Sequence, residues 1–180
     1  MSLLPIIEIP DPLLRTQSAP IESVGDDVSR LIADMFETMY EAPGIGLAAI
    51  QVAVAKQLVI IDLQDPEEED GEPVRRPHVF INPRIVDRSA QTKIYNEGCL
   101  SIPDQYAELE RPDVVRATWI DEKGTEREGE FDGLMSVCLQ HEIDHLNGVL
   151  FIDHLSRLKR DIVVRKVIKA RRERSQAAIL

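Results

Sequence analysis

The sequence predicts an α+β fold, in which most strands lie in the middle of the chain and helices lie towards its two ends. An early segment places apolar residues at helical spacing, whereas the middle of the chain contains β-branched, alternating runs that are typical of strands. These patterns do not alternate along the chain, which favours α+β over a βαβ architecture. Hydrophobic residues make up 43% of the 180 residues, so we expect one sizeable core and a single domain over residues 1–180.

The first third of the chain contains one predicted helix. Residues 1–20 include four prolines and are predicted to be irregular or extended. A helix is predicted over residues 26–40, because its apolar side chains follow the 3.6-residue period and acids occupy its first turn. A Pro-Gly pair ends it. Residues 44–51 (GIGLAAIQ) form a compact segment, and residues 57–63 (QLVIIDL) form a buried strand.

The middle third is predicted to contain two loops and one interrupted strand. Residues 65–72 carry six acids in eight positions and are predicted to be a solvated loop. Residues 78–87 (HVFINPRIVD) indicate a strand that is interrupted at Pro83. Residues 96–103 are predicted to be a loop.

The last third contains a predicted hairpin followed by two helices. Strands over residues 114–121 and 125–131 are joined across a Glu-Lys-Gly turn. Asp132 is the expected N-cap of a helix that runs to about Leu146 and is ended by Asn-Gly. A final helix is predicted from residue 156 to about residue 174.

The charge of the chain is unevenly distributed. The net charge of −11 argues against general nucleic-acid binding, but residues 157–174 contain nine Lys/Arg against two acids. An acidic body with a basic tail can bind a polyanion through the tail alone.

The N-terminus and the cysteines indicate the cytoplasm. The chain begins without the basic n-region of a secretory signal, and no stretch approaches the roughly 18 apolar residues of a membrane span. In a reducing compartment the two cysteines, Cys99 and Cys138, are expected to be free thiols or metal ligands. We therefore expect a cytoplasmic protein that does not bind membranes.

The penultimate predicted helix carries a metal-binding motif. His141 and His145 are four residues apart, so both imidazoles project from one helix face. Glu142 lies beside them and can reach a water on the same ion, as in the H-E-x-x-H motif of metallohydrolases. A metal lowers the pKa of such a water towards about 7, and the carboxylate relays its proton. For the fold as a whole, we expect antiparallel or mixed sheets packed around this central metal-binding helix, with further helices towards the two termini.

A third protein ligand is needed, and the residues leave two candidates for it. Phe151 occupies the position of the third histidine in the long form of the motif, which argues against a metzincin protease. Cys138 lies three residues before His141 on the same helix. Cys99 lies in a separate predicted loop, and spacing favours it because a ligand from a second element closes a tetrahedron better.

Three segments together resemble the peptide deformylase family: residues 44–51, residues 97–101 (EGCLS) and residues 140–145 (QHEIDH). The resemblance implies removal of the formyl group from N-formylmethionyl peptides, with release of formate. It implies Cys99, His141 and His145 as ligands of one divalent ion. It implies Fe²⁺ as the native metal, with Zn²⁺, Ni²⁺ or Co²⁺ as possible occupants.

The resemblance also implies roles for eight further residues. Glu142 would accept the proton of the attacking water and return it to the leaving amine. The Gln51 side chain and the Leu100 backbone N–H would bind the formyl oxygen. The Gly46 backbone would face the substrate. A pocket for methionine would be formed by Ile45, Leu134, Val137 and Cys138.

Three expectations concern the surroundings of the site. Glu97 is either a buried carboxylate that pairs with Arg111 and supports the Cys99 loop, or a surface glutamate. Many bacterial relatives have Arg where this chain has Tyr106, which puts in doubt a peptide-backbone contact at that position. The basic segment 157–174 is either a solvated helix or, as the resemblance implies, a surface that docks on ribosomal RNA.

Two alternative functions remain open at this level. One is an H-E-x-x-H metallopeptidase that cuts internal bonds, and the missing third histidine speaks against it. The other is a non-catalytic, ribosome-associated homologue, although Gln51, Glu142 and the candidate ligands are all present.

Overall fold

A computed structural model describes residues 2–65 and 73–177, and over these ranges the chain forms three α-helices and seven β-strands. The elements in chain order are α1 (Asp26–Glu41), β1 (Gly46–Ala48), β2 (Leu58–Ile61), β3 (His78–Arg88), β4 (Thr92–Cys99), β5 (Ile102–Pro112), β6 (Val114–Ile120), β7 (Glu126–Asp132), α2 (Gly133–Leu146) and α3 (Arg157–Ala177). None of the described helices is long and apolar enough to cross a membrane. The predicted α+β class is confirmed.

A five-stranded antiparallel sheet, in the order β1-β2-β3-β6-β7, forms the centre of the molecule. Successive residues of a strand face opposite sides of the sheet, and every residue of β2 is buried. Val59 and Ile61 belong to a core cluster with Leu139 and Leu146 of α2. Leu58 and Ile60 pack on the other side with α1. The strand therefore lies between the two helices.

A separate two-stranded sheet is formed by β4 and β5, where residues 96–103 were expected to be a loop. That expectation is wrong. The inward-facing positions of this ribbon include the charged Glu97 and Arg111, both of which are buried. The outward-facing positions include Ile94, which is 67% exposed. These residues interrupt the alternation of apolar and polar positions that is expected of a strand, so periodicity did not detect β4 and β5.

Strand β3 and the last helix differ from expectation, whereas the predicted N-cap of α2 is found at Asp132. Strand β3 continues through Pro83, although its register with β6 shifts between Ile81 and Arg84. Asp132 occupies the N-cap position of α2 but makes no capping hydrogen bond with its side chain. The last helix extends to Ala177. Apart from Asp65, the predicted acidic loop over residues 65–72 lies outside the described residues.

The C-terminal helix α3 packs against a third core cluster. Its Val167 is buried with Leu14, Ile102 and Phe151, whereas most other residues of the helix are exposed. Arg174 pairs with Glu8 near the N-terminus, at 2.6 Å. The helix is thus attached to the rest of the protein on one side, and most of its basic residues remain exposed.

Asn82 stabilises the irregular point of β3. Its backbone is left-handed (φ 51°), a conformation that Asn tolerates better than most residues. Its side chain accepts a hydrogen bond from the Ile21 amide and donates one to the Ile21 carbonyl, both at 2.8 Å. The N-terminal segment is thereby fixed to the sheet.

Replacing Asn82 by Ala removes both hydrogen bonds and places alanine in a left-handed conformation. We expect the free energy of unfolding to fall by about 2 kcal/mol, because each bond contributes about 1 kcal/mol. Urea unfolding of the metal-loaded protein measures the change. The matched control is Asn96→Ala at an exposed position of β4, and equal stability of the two variants would contradict this role of Asn82.

Candidate active site

Helix α2 places the two motif histidines side by side in the interior. The rings of His141 and His145 have centroids 5.0 Å apart, and both side chains are buried. Nδ1 of His141 lies 2.9 Å from Oε2 of Glu97, which leaves Nε2 directed elsewhere. Nε2 of His145 lies 3.2 Å from Sγ of Cys99. The predicted histidine pair is therefore brought together with one cysteine.

Cys99 reaches the helix because it ends β4 at the tip of the two-stranded ribbon. The pairing of β4 with β5 shifts register between Gly98 and Cys99, and the chain turns before β5 begins at Ile102. The potential ligand atoms of Cys99, His141 and His145 all lie within 4.8 Å of one another. The ribbon thus supplies the thiol from outside the helix, as spacing had favoured.

This donor set fits a transition-metal ion. Metal–ligand lengths of about 2.0–2.3 Å place tetrahedral ligand atoms roughly 3.3–3.7 Å apart, close to the 3.2 Å between Cys99 and His145. Thiolate and imidazole ligands select such ions over Ca²⁺ and Mg²⁺, which prefer oxygen. Cys138 lies outside this group; its Sγ is 3.9 Å from the Ile45 carbonyl oxygen. Burial raises the pKa of the Cys138 thiol, which keeps it neutral.

Glu142 lies in the same interior, against the backbone of Gly46. Burial raises the pKa of its carboxyl to about 7. Its Oε2 atom has no hydrogen-bond partner in the described part of the chain. A Cβ at Gly46 would lie 2.6 Å from Oε1 of Glu142 and 2.7 Å from Sγ of Cys138. Only glycine permits this approach of β1 to the helix.

The side chain of Gln51 is fixed on both sides. Its Oε1 accepts a hydrogen bond from the Ala48 amide at 2.8 Å, which directs Nε2 towards the cysteine. Nε2 lies 3.5 Å from Sγ of Cys99 and 3.2 Å from Oγ of Ser101. Gln51 is 1% exposed. It is a preorganised donor beside the candidate ligands, and Ser101 is a neighbour that the sequence analysis did not single out.

Glu97 and Arg111 form a buried ion pair behind the histidines. Arg111 donates from Nε and Nη2 to the two Glu97 oxygens at 2.5 and 3.0 Å, and from Nη1 to Asp144 at 2.8 Å. Burial raises the pKa of the Glu97 carboxyl, but hydrogen bonds from His141 and Arg111 outweigh it and lower the pKa to about 2. Glu97 is therefore a buried carboxylate that contacts a histidine, and Asp144 is a member of the network that sequence reasoning missed.

A cavity of about 530 Å³ opens beside these residues. Val137 and Cys138 are buried in its wall, whereas Leu134 is 41% exposed near its mouth. Gly46, Leu100 and Glu142 line the cavity. So do all four residues that were expected to form a methionine pocket, which are Ile45, Leu134, Val137 and Cys138. Tyr95, Asp104 and Tyr106 also line it, and only Tyr106 had been noted from the sequence. The arrangement can hold an apolar side chain next to a metal and a carboxyl group.

Comparisons with known proteins agree with this geometry. The family model of polypeptide deformylase matches residues 3–161. A peptide deformylase of Rhizorhabdus wittichii is 59% identical over 177 residues, covering 98% of this chain and all of that protein. A crystal structure of peptide deformylase from Ehrlichia chaffeensis superimposes with a TM-score of 0.90 at 39% identity, covering 96% of this chain and 98% of that one.

A second similar structure contains a peptide. It is a Met-Ala-Ser-bound class I type b peptide deformylase from Acinetobacter baumannii, with a TM-score of 0.79 and 32% identity, covering 86% of this chain and 99% of that one. Both the family match and the identities extend over far more than half of the sequence. The chain belongs to the polypeptide deformylase family.

Proposed function

We propose that this chain is a metal-dependent hydrolase that removes the N-formyl group from the N-terminal methionine of nascent polypeptides and releases formate. The observation that carries the proposal is the convergence of Cys99, His141 and His145, of which Cys99 and His141 line one cavity together with Glu142. The Met-Ala-Ser ligand of the Acinetobacter relative has the sequence that such a reaction would leave. Family membership supports the same reaction.

Cys99, His141 and His145 would hold one divalent ion. The ion would acidify a water molecule and polarise the formyl carbonyl. We propose Fe²⁺ as the native ion, with Zn²⁺, Ni²⁺ or Co²⁺ as alternative occupants, since a nitrogen and thiolate donor set accepts several of them. The hydrogen bond from His141 Nδ1 to Glu97 supports His141 as a ligand, because it fixes the tautomer that leaves Nε2 free for the ion.

Glu142 would transfer the proton. Its buried carboxyl, with a pKa raised to about 7, can both accept and release a proton near neutral pH. Its Oε2 atom would take the proton of the attacking water and return it to the methionine nitrogen as the C–N bond breaks. That this oxygen has no partner among the described residues supports the role.

Gln51 and Leu100 would stabilise the charge that develops on the formyl oxygen. The amide Nε2 of Gln51 is fixed by the bond of Oε1 to Ala48, so it needs no reorganisation during the reaction. The backbone N–H of Leu100 follows Cys99 and would be the second donor. The Gly46 backbone would face the peptide.

The methionine side chain would occupy the apolar part of the cavity, formed by Ile45, Leu134, Val137 and Cys138. A neutral Cys138 thiol suits a thioether neighbour, since both groups are soft and weakly polar. The ring stacking of His141 on Phe151, with centroids 6.2 Å apart, closes the opposite side of the metal group.

The substitution Glu142→Gln tests the reaction and the role of this carboxyl together. We expect formate release from a formyl-Met-Ala-Ser peptide by anaerobically purified protein to fall roughly 10²–10⁴-fold, because the proton relay is lost. Metal content should remain near one ion per chain. Glu130→Gln, at an exposed position of β7, is the control. Full activity of Glu142→Gln would refute the role, and no formate from the unaltered protein would refute the proposed function.

Glu97→Ala should weaken metal binding. The substitution leaves His141 without its acceptor and Arg111 without its partner, and such outer contacts typically contribute 10-fold to 100-fold in metal affinity. A competitive chelator titration measures the change. Glu128→Ala is the matched control, because Glu128 pairs with Arg116 at 3.1 Å on the exposed face of β6 and β7. Glu97→Gln, which keeps an acceptor for His141, should lie between the two. Unchanged affinity in both Glu97 variants would contradict a role in holding the metal.

The basic segment 157–174 would hold this single catalytic domain on the ribosome, in the cytoplasm where nascent chains emerge. The proposal is supported by the exposure of Lys166, Arg171 and Arg172 on a helix that is otherwise anchored at Val167. Phosphate contacts of this kind need no sequence specificity.

Charge reversal at Lys166, Arg171 and Arg172 should reduce co-sedimentation with ribosomes at least tenfold at low salt, with no change in activity on free peptides. Reversal of three exposed basic residues elsewhere, Arg84, Arg88 and Lys123, is the charge-matched control. Equal loss in both triple variants would indicate a non-specific charge effect and would contradict docking through this helix.

A further inference from the structure

A buried carboxylate lies at the end of β2. Asp62 is fully buried and directly follows the last residue of that strand. Its Oδ2 atom accepts a hydrogen bond from the Tyr40 hydroxyl of α1 at 2.6 Å. Its Oδ1 atom accepts two backbone hydrogen bonds, from the Gln64 amide at 3.1 Å and from the Arg76 amide at 3.0 Å. Asp62 thus joins the end of α1 to two points of the chain that follows β2.

The same residues hold the backbone of a short segment, residues 44–46, which leads from α1 into β1. The Asp62 amide donates a hydrogen bond to the Ile45 carbonyl at 2.9 Å. The Gln64 side chain donates from Nε2 to the Gly44 carbonyl at 3.2 Å. The Gly44 amide donates to the Met39 carbonyl of α1 at 2.9 Å. The 44–46 segment is therefore fixed by α1 and by the residues that follow β2.

The 44–46 segment forms part of the cavity wall. All three of its residues line the cavity, whereas Tyr40 and Asp62 are not among the described residues that do. In the proposed function, Ile45 forms part of the methionine pocket and the Gly46 backbone faces the peptide. The candidate metal ligands belong instead to α2 and β4. A displacement of the segment would therefore alter peptide binding and leave the metal group in place.

The ring of Tyr40 is fixed on two sides. The Arg75 guanidinium lies 4.0 Å from the centre of the ring, and the Phe36 ring stacks on it with centroids 5.9 Å apart. Burial and the hydrogen bond to Asp62 raise the pKa of the Tyr40 phenol to about 12. The phenol therefore remains a protonated donor at neutral pH, and its bond to Asp62 persists.

We propose that Tyr40, Asp62 and Gln64 are positioning residues for the peptide, which hold the 44–46 segment in the conformation that binds formylmethionine. This inference rests on the proposed deformylase function. If one of these hydrogen bonds is lost, the segment occupies that conformation for only part of the time, and the apparent affinity for the peptide falls by the same fraction. A saturating peptide restores the conformation, so the rate at saturation is preserved.

The substitution Tyr40→Phe tests the proposal, because it removes the hydroxyl and keeps the ring. For formyl-Met-Ala-Ser and the metal-loaded protein, KM should rise roughly threefold to tenfold, the factor that one hydrogen bond typically contributes. Both kcat and metal content should remain near those of the unaltered protein. A lowered kcat at unchanged KM is the result expected from a loss of folded protein, and it would overturn the proposal.

Gln64→Asn should raise KM in the same way. Asparagine tolerates the left-handed backbone at this position (φ 55°), but it is one methylene shorter and loses the bond to the Gly44 carbonyl. This variant keeps the Tyr40 bond to Asp62, so it tests the segment from the other side. An unchanged KM in both Tyr40→Phe and Gln64→Asn would refute the positioning role.

Thr38→Val is the matched control on the same helix. Thr38 is buried, and its Oγ1 accepts a hydrogen bond from the Leu4 amide at 2.9 Å and donates one to the Asp34 carbonyl at 2.7 Å. Valine keeps the shape of the side chain and removes both bonds, so stability falls through a contact with the N-terminal segment. KM should be unchanged in this control. A rise as large as that of Tyr40→Phe would overturn the proposal.

Hydrogen exchange of the metal-loaded protein without peptide gives a readout that does not depend on activity. In Tyr40→Phe, the amides of residues 44–46 and of Asp62 should exchange roughly threefold to tenfold faster, and those of α2 should be unchanged. In Thr38→Val the increase should occur at Leu4 instead. Unchanged exchange at residues 44–46 in Tyr40→Phe would refute the positioning role and leave the reaction standing. Absence of formate release by the unaltered protein would refute the proposed function, and the exchange rates would still show whether these residues hold the segment.

Discussion

The site depends on one buried carboxylate. Glu97 contacts His141 of α2 and Arg111 of β5, so it joins the ribbon to the central helix at the point where their candidate metal ligands meet. An unpaired charge at this depth would cost several kcal/mol, so both partners are required for it to remain ionised. Glu97 is two residues from Cys99, and the same contacts that neutralise it therefore fix the distance from the thiol to the histidines.

The central helix can hold these charges because its other faces are apolar. Leu139 and Leu146 of α2 pack on β2, whereas His141 and His145 face the ribbon. β1 approaches the helix at Gly46, where the missing side chain admits the carboxylate of Glu142. The sheet thus supplies rigidity and the ribbon supplies polar partners. Each candidate ligand lies on an element, α2 or β4, that packs through contacts of its own.

The helices, the hairpin and the α+β class were predictable because their signals are local. The spacing of His141 and His145, the run of residues 57–63 and the turn before β7 each lie within one element. The ribbon was missed because its buried face carries Glu97 and Arg111, which pair with each other and with α2. In the sequence, the residues of a buried ion pair look like residues of a polar loop, because their partners are distant along the chain. Ser101 and Asp144 were overlooked for the same reason, since their contacts also lie across elements.

Sequence spacing favoured Cys99 over Cys138 as the third metal ligand but did not exclude Cys138. Cys138 lies on the same helix as the histidines and was an admissible ligand by sequence separation. On that helix its thiol lies beside the Ile45 carbonyl and in the cavity wall, where burial raises its pKa and opposes the thiolate that a metal requires. Cys99 approaches from the ribbon and lies 3.2 Å from His145. The two thiols therefore suit different tasks: Cys99 can bind an ion, and Cys138 can form part of an apolar wall next to it.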